Sequence, residues 1–132
     1  MRTIFPAILT PIPSGSGYCA RVPDVSGCVT TGGDLAQALD NVADALAGCL
    51  CVLEDERCAL PAPSRPESLA LAPGDTLALV DVDTVEYRRR TDTRAVRKNV
   101  SLPAWLASMA DRQEVNCSQL LQEALKARLG VR

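Results

Sequence analysis

Apolar positions recur with a period of two at the start of the chain, with a helical period in its middle, and with both in turn near its end. Thr3 to Ile12, with Ile4, Ala7, Ile8 and Leu9, predicts a first strand, in which Pro6 and Pro11 mark an edge position or a strand end. Tyr18 to Val22 and Cys28 to Thr31 predict two more. The turn sequences Ser14-Gly15-Ser16-Gly17 and Pro23-Asp24-Val25-Ser26-Gly27 set them apart. After Gly32-Gly33 the period changes. Leu35, Leu39, Val42, Leu46, Leu50 and Leu53 recur at spacings of three and four, with Gln37, Asp40, Asn41 and Asp44 opposite. This predicts an amphipathic helix of about five turns, capped by Asp34 with Gln37 in the capping-box position. Its acidic end, Glu54-Asp55-Glu56, opposes the helix dipole and is expected to fray. Leu60 to Pro73 holds Pro61, Pro63, Pro66 and Pro73 and reads as an extended connector. Thr76 to Val82 is nearly continuous in apolar residues, which suits a central strand. The order β-β-β-α-β predicts a small α+β domain over residues 1–83.

Residues 84–95 read as a linker, with Tyr87-Arg88-Arg89-Arg90 as a solvated charge run. A domain over 96–132 follows. Arg97 to Leu102 predicts a strand with Val96, Val100 and Leu102 on one face and Arg97, Asn99 and Ser101 on the other. Pro103 opens a helix to Arg112, with Trp105, Leu106, Met109 and Ala110 on one stripe. A second helix is expected from Cys117 to Leu129, with Leu120, Leu121, Ala124, Leu125 and Leu129 inward. Asn116 caps it, Gln119 completes a capping-box pattern, and Gly130 ends it. One such strand cannot make a ribbon, and two short helices bury little. Two chains pairing this strand antiparallel across a two-fold axis solve both shortages. The outer face then presents a guanidinium, an amide and a hydroxyl, groups that hydrogen-bond base edges in a major groove.

That arrangement resembles the ribbon-helix-helix DNA-binding family along the whole segment. The resemblance implies a homodimer reading operator DNA through Arg97, Asn99 and Ser101. It also implies a phosphate clamp at the start of the second helix, on Asn116, Cys117 and Ser118. One departure stands out: the turn between the helices usually holds a glycine, and here it reads Gln113-Glu114-Val115.

Charge sharpens the division. Residues 94–132 carry seven Lys/Arg against three acids, a net +4, and residues 1–93 carry seven Arg against thirteen acids, a net −6. A basic end on an acidic body suggests a polyanion at one end and a basic partner at the other. Six cysteines show no CxxC spacing and the chain has no histidine, so no zinc site and no cofactor are expected. Buried free thiols in a reducing cytoplasm are the default reading. No apolar run suggests a membrane span, and the start of the chain does not read as a signal peptide.

The ordered set Tyr18-x-Ala20-x-Val22-Pro23-Asp24-x-x-Gly27-Cys28-x-Thr30, Gly32, the capped helix, Leu60-Pro61-x-Pro63-Ser64, the strand at Leu77 to Val82 and the tail resembles HicB-type antitoxins. The resemblance implies a truncated RNase H-like domain that binds and blocks a HicA-type mRNA-cleaving toxin. It implies a tail that dimerises and represses the operon, and leaves open whether dimers pair into tetramers. Such a scaffold raises the question of metal-dependent nuclease chemistry on Asp24, Asp34, Asp81 and Asp83. Each has a structural role to play, in a turn, a helix cap or a strand end, and no acid lies within the first strand, so no catalytic residue and no enzyme activity are expected. The alternative reading is a stand-alone DNA-binding regulator with no toxin.

Overall fold

The change of period at Gly32-Gly33 is where the sheet hands over to its helix. In a computed structural model, which describes residues 2–132, strands β1 (Arg2–Pro11), β2 (Tyr18–Arg21) and β3 (Val29–Gly32) lead into helix α1 (Leu35–Asp55). The Asp34 carboxylate accepts from the Gln37 backbone N–H at 2.8 Å. The Gln37 side-chain oxygen accepts in turn from the Gly33 N–H, so the first turn is fastened on both sides. Strand β4 (Thr76–Asp83) and helix α2 (Thr84–Thr91) complete a first compact unit, Met1–Thr93. Helices α3 (Ala104–Arg112) and α4 (Cys117–Leu129) belong to a second unit, Arg94–Arg132.

In the first unit the sheet is antiparallel in the order β3-β2-β1-β4. This reverses the expectation for β4, and for β1 the edge reading at Pro6, while Pro11 ends its strand as expected. The apolar strand β4 lies at an edge, and the proline-bearing β1 lies inside. Proline is tolerated there because β2 pairs only with Ile8–Pro11, so Pro6 has a neighbour on one side alone, and Pro11 is the last residue of the strand. β4 is apolar because Val80 and Val82 enter the core below α1, while its other face is half open.

The core gathers Phe5, Ala7 and Leu9 of β1, Ala20 of β2, Val80 and Val82 of β4, and Ala38, Val42, Leu46 and Leu50 of α1. The buried stripe of α1 is turned from the expected one. Leu35 and Leu39 are exposed, and Ala38 and Ala47 are buried in their stead. The cause is close approach: a Cβ on Gly32 would lie 2.3 Å from the Ala38 backbone nitrogen. Only small residues fit where helix and strand touch, so the leucines of the first turns face outward. α1 is long and apolar enough to cross a bilayer, yet Val42, Leu46 and Leu50 are fully buried in the sheet-helix core.

The expected linker over 84–95 is a helix for most of its length. The Asp83 carboxylate caps α2 by accepting from the N–H groups of Val85 and Glu86, at 3.0 and 3.3 Å. Arg88 is not a solvated charge: it reaches Asp55 at 2.9 Å, Glu54 at 3.3 Å and the Cys51 carbonyl at 3.1 Å. The bond to Asp55 raises its pKa above the usual value. The acidic end of α1, expected to fray, is therefore held by a guanidinium. It also closes through a Schellman turn, with Arg57 in the left-handed region at φ 56° and Cys58 N–H donating to the Leu53 carbonyl at 2.9 Å.

The cysteines are free. Cys28 and Cys51 are buried, and burial pushes the Cys28 thiol up to about 11, so it stays protonated at neutral pH. Cys58 and Cys117 are exposed, against the expectation that the thiols would be buried.

Candidate functional site

In the second unit, α4 begins and ends where its capping residues dictate. Asn116 Oδ1 accepts from the Gln119 N–H at 3.1 Å, and Gly130 takes the left-handed conformation at φ 73°. The Gln119 side chain does not close a capping box. It reaches forward to Glu123 at 3.4 Å. The missing glycine between α3 and α4 has a local answer. Glu114 itself adopts φ 53°, Val115 N–H donates to the Ala110 carbonyl at 3.0 Å and Glu114 N–H to Asp111 at 3.2 Å. This is the same Schellman turn, made without glycine at a cost of about 1–2 kcal/mol.

Residues 92–103 carry no regular secondary structure, so the expected strand at Arg97–Leu102 is not formed in the single chain. A strand is defined by its ladder, and no neighbouring strand runs beside this segment here. Its alternation is nonetheless visible. Lys98, Val100 and Leu102 line an apolar groove of about 570 Å³ with Leu106, Met109 and Leu121, whereas Arg97, Asn99 and Ser101 do not. The sequence reading passed over Lys98, although period two puts it on the inner side. Arg97, Asn99 and Ser101 are all exposed and follow one another on the side away from the groove. Asn116, Cys117 and Ser118 stand together at the start of α4, also exposed, where the first N–H groups of a helix lack carbonyl partners.

No residue from Arg94 to Arg132 is buried. Leu106, Met109, Leu120, Leu125 and Leu129 are all exposed, and Trp105, on the stripe expected to face the core of a dimer, is 65% exposed in the single chain. Thirty-nine residues with this many open apolar side chains have no core of their own.

The first unit offers a different chemistry. Asp40, Asp44, Asp81, Asp83 and Glu86 border one cleft with Arg2, Tyr87 and Arg90. Arg2 bonds Asp81 at 2.7 Å and Arg90 bonds Asp44 at 2.8 Å, and the bond from Arg2 holds the Asp81 carboxyl below its usual range. Of the four acids weighed as metal ligands, Asp34 and Asp83 cap helices and Asp81 holds Arg2. Asp24 accepts from the Ser64 N–H at 2.8 Å and from its hydroxyl, fastening the proline-rich connector to the turn after β2. No group of three or more metal-binding side chains converges among the described residues. The Asp24–Ser64 tie and the Arg88 clamp went unread because each joins residues far apart in sequence.

A family model described as a HicB-like antitoxin of bacterial toxin-antitoxin systems matches residues 5–125. Among solved structures, a chain of a toxin-antitoxin complex from Streptococcus pneumoniae superposes with a TM-score of 0.63 at 22% identity, over 97% of this chain and 99% of that one. The antitoxin HicB of Burkholderia pseudomallei gives 0.56 at 28%, over 95% and 98%. A chain of the HicA3 and HicB3 toxin-antitoxin complex gives 0.51 at 26%, over 61% and 99%. No curated protein matches the chain.

Proposed function

This chain belongs to the HicB-like antitoxin family of bacterial toxin-antitoxin systems, and from that premise we propose that it neutralises a HicA-type mRNA-cleaving toxin through residues 1–93 and represses its own operon through residues 94–132. The observation that carries the second half is the absence of any buried residue in the tail beside a groove of apolar side chains. A second copy fills such a groove most economically. Its strand pairs with residues 97–102, its helices close the core, and the two outer faces form a ribbon-helix-helix that presents Arg97, Asn99 and Ser101 to base edges. The N–H groups of Cys117 and Ser118, with Asn116 before them, then meet a phosphate. The +4 charge of the tail suits DNA.

The first half rests on the family and on charge. We read the antiparallel sheet and its helix as a truncated RNase H-like domain. At −6 this unit complements a toxin that must be basic to hold RNA. On this reading the chain works by binding, as a homodimer, in the cytoplasm.

The test is co-purification with the product of the neighbouring gene, followed by a gel shift on the upstream promoter. A small basic partner and a salt-sensitive shift are expected. A shift without any partner would favour the stand-alone regulator, and a partner without a shift would leave only the antitoxin half. Within the same assay, Arg97→Ala is expected to weaken operator binding by about 1–3 kcal/mol and to narrow the gap between operator and random DNA. Unchanged affinity for both would remove Arg97 from the readout.

A further inference from the structure

Strand β4 closes one side of the sheet and pairs only with β1. Among the described residues, none of its backbone groups from Leu77 to Val82 bonds to a loop or a cap. An eight-residue strand with an unpaired flank is a template for another strand. Two usual safeguards, proline and lysine, are missing from Thr76–Asp83, whereas the opposite edge, β3, is only four residues long.

The flank has a definite chemistry. Cross-strand register pairs Pro6 with Leu79 and Ile4 with Asp81, so Ile4, Leu79 and Asp81 share the face away from α1. Leu79 is 60% exposed and Ile4 49%. Asp81, although bonded to Arg2, keeps half of its side-chain surface open. The edge therefore runs from apolar to acidic. Two copies of a unit at −6 repel one another, while a partner that grips RNA phosphates carries the cations this edge would attract.

We infer that the open edge of β4 is the strand on which the toxin docks. The partner adds an extended segment, the sheet continues as β3-β2-β1-β4-partner, an apolar side chain lies over Leu79, and a lysine or arginine approaches Asp81. This rests on the antitoxin reading and assigns it a surface.

Hydrogen exchange on the full chain, alone and in complex with the small basic protein that co-purifies with it, tests the assignment. In the free chain the β4 amides that point away from β1 exchange fast. In the complex they are expected to slow by at least about tenfold. Leu79→Lys, at an exposed position, is expected to leave the fold and operator binding intact and to weaken the complex by about tenfold or more. A complex that forms while the β4 amides keep exchanging freely would overturn the edge assignment and spare the antitoxin reading. Protection of the same amides in the free chain that grows with its concentration would show a second copy on the edge and overturn the assignment as well. Failure to form any complex would overturn both.

Discussion

A chain ending at Thr93 is expected to keep its fold, lose all measurable operator affinity and become monomeric. Every member of the buried core, from Phe5 to Val82, lies in the first unit, and the ties that fasten its loops, Asp24 to Ser64 and Arg88 to Glu54 and Asp55, lie there too. Removing residues 94–132 takes no buried side chain away. It takes away the groove and all seven of the tail's cations. On the proposed reading the truncated chain still captures the toxin, because the acidic surface and the β4 edge remain. Thermal unfolding, sedimentation and a gel shift check the three parts. A truncated chain that folds yet fails to bind the toxin would mean that the tail takes part in neutralisation. Residual specific DNA binding would move the readout into the first unit.

Replacing Gly32 with alanine is expected to cost the first unit about 3 kcal/mol, at the upper end of what an extra methyl group in a packed site does. The new Cβ would stand 2.3 Å from the Ala38 nitrogen, 2.6 Å from its Cα and 2.8 Å from the Gln37 carbonyl carbon. These are backbone atoms, so no rotamer change relieves the clash. The whole start of α1 must lift from the sheet and carry the Asp34 cap with it. Gly15→Ala is the control, since nothing lies within 4 Å of its Cβ position. It is expected to change stability by no more than about 0.5 kcal/mol. Urea unfolding of both variants decides the matter. Equal midpoints would mean that the sheet-helix contact is soft and that Gly32 has no steric role.

Much of this was legible from local signals. Helix α4 was bounded to the residue, because Asn116 and Gly130 act on the chain within one turn. The start of α1 was equally clear from Asp34. What escaped were features decided by distant partners. The apolar runs of β1 and β4 mark them as strands and say nothing about which neighbour each has, so edge and centre were exchanged. Arg88 looked solvated because its acidic partners, Glu54 and Asp55, belong to another helix. The leucine stripe of α1 was misjudged at Leu35 and Leu39 because Gly32 admits only an alanine opposite it. In the tail, the residues proposed to read DNA were chosen from a strand period, and the single chain offers no neighbouring strand to form its ladder.

The unburied tail has a consequence for how such a protein would be controlled. If its core exists only between copies, its folding is governed by mass action, and its apparent stability rises and falls with the amount of chain in the cell. On the proposed reading, the pairs would form at high abundance and hold the operator shut. As abundance dropped toward the dissociation constant, the tails would separate into short solvent-washed helices open to proteases, and transcription would resume before the sturdier first unit had disappeared. The level at which the promoter reopens would thus be written into the contacts of Leu106, Met109 and Leu121 across the two-fold axis, and enlarging or trimming those side chains would raise or lower it.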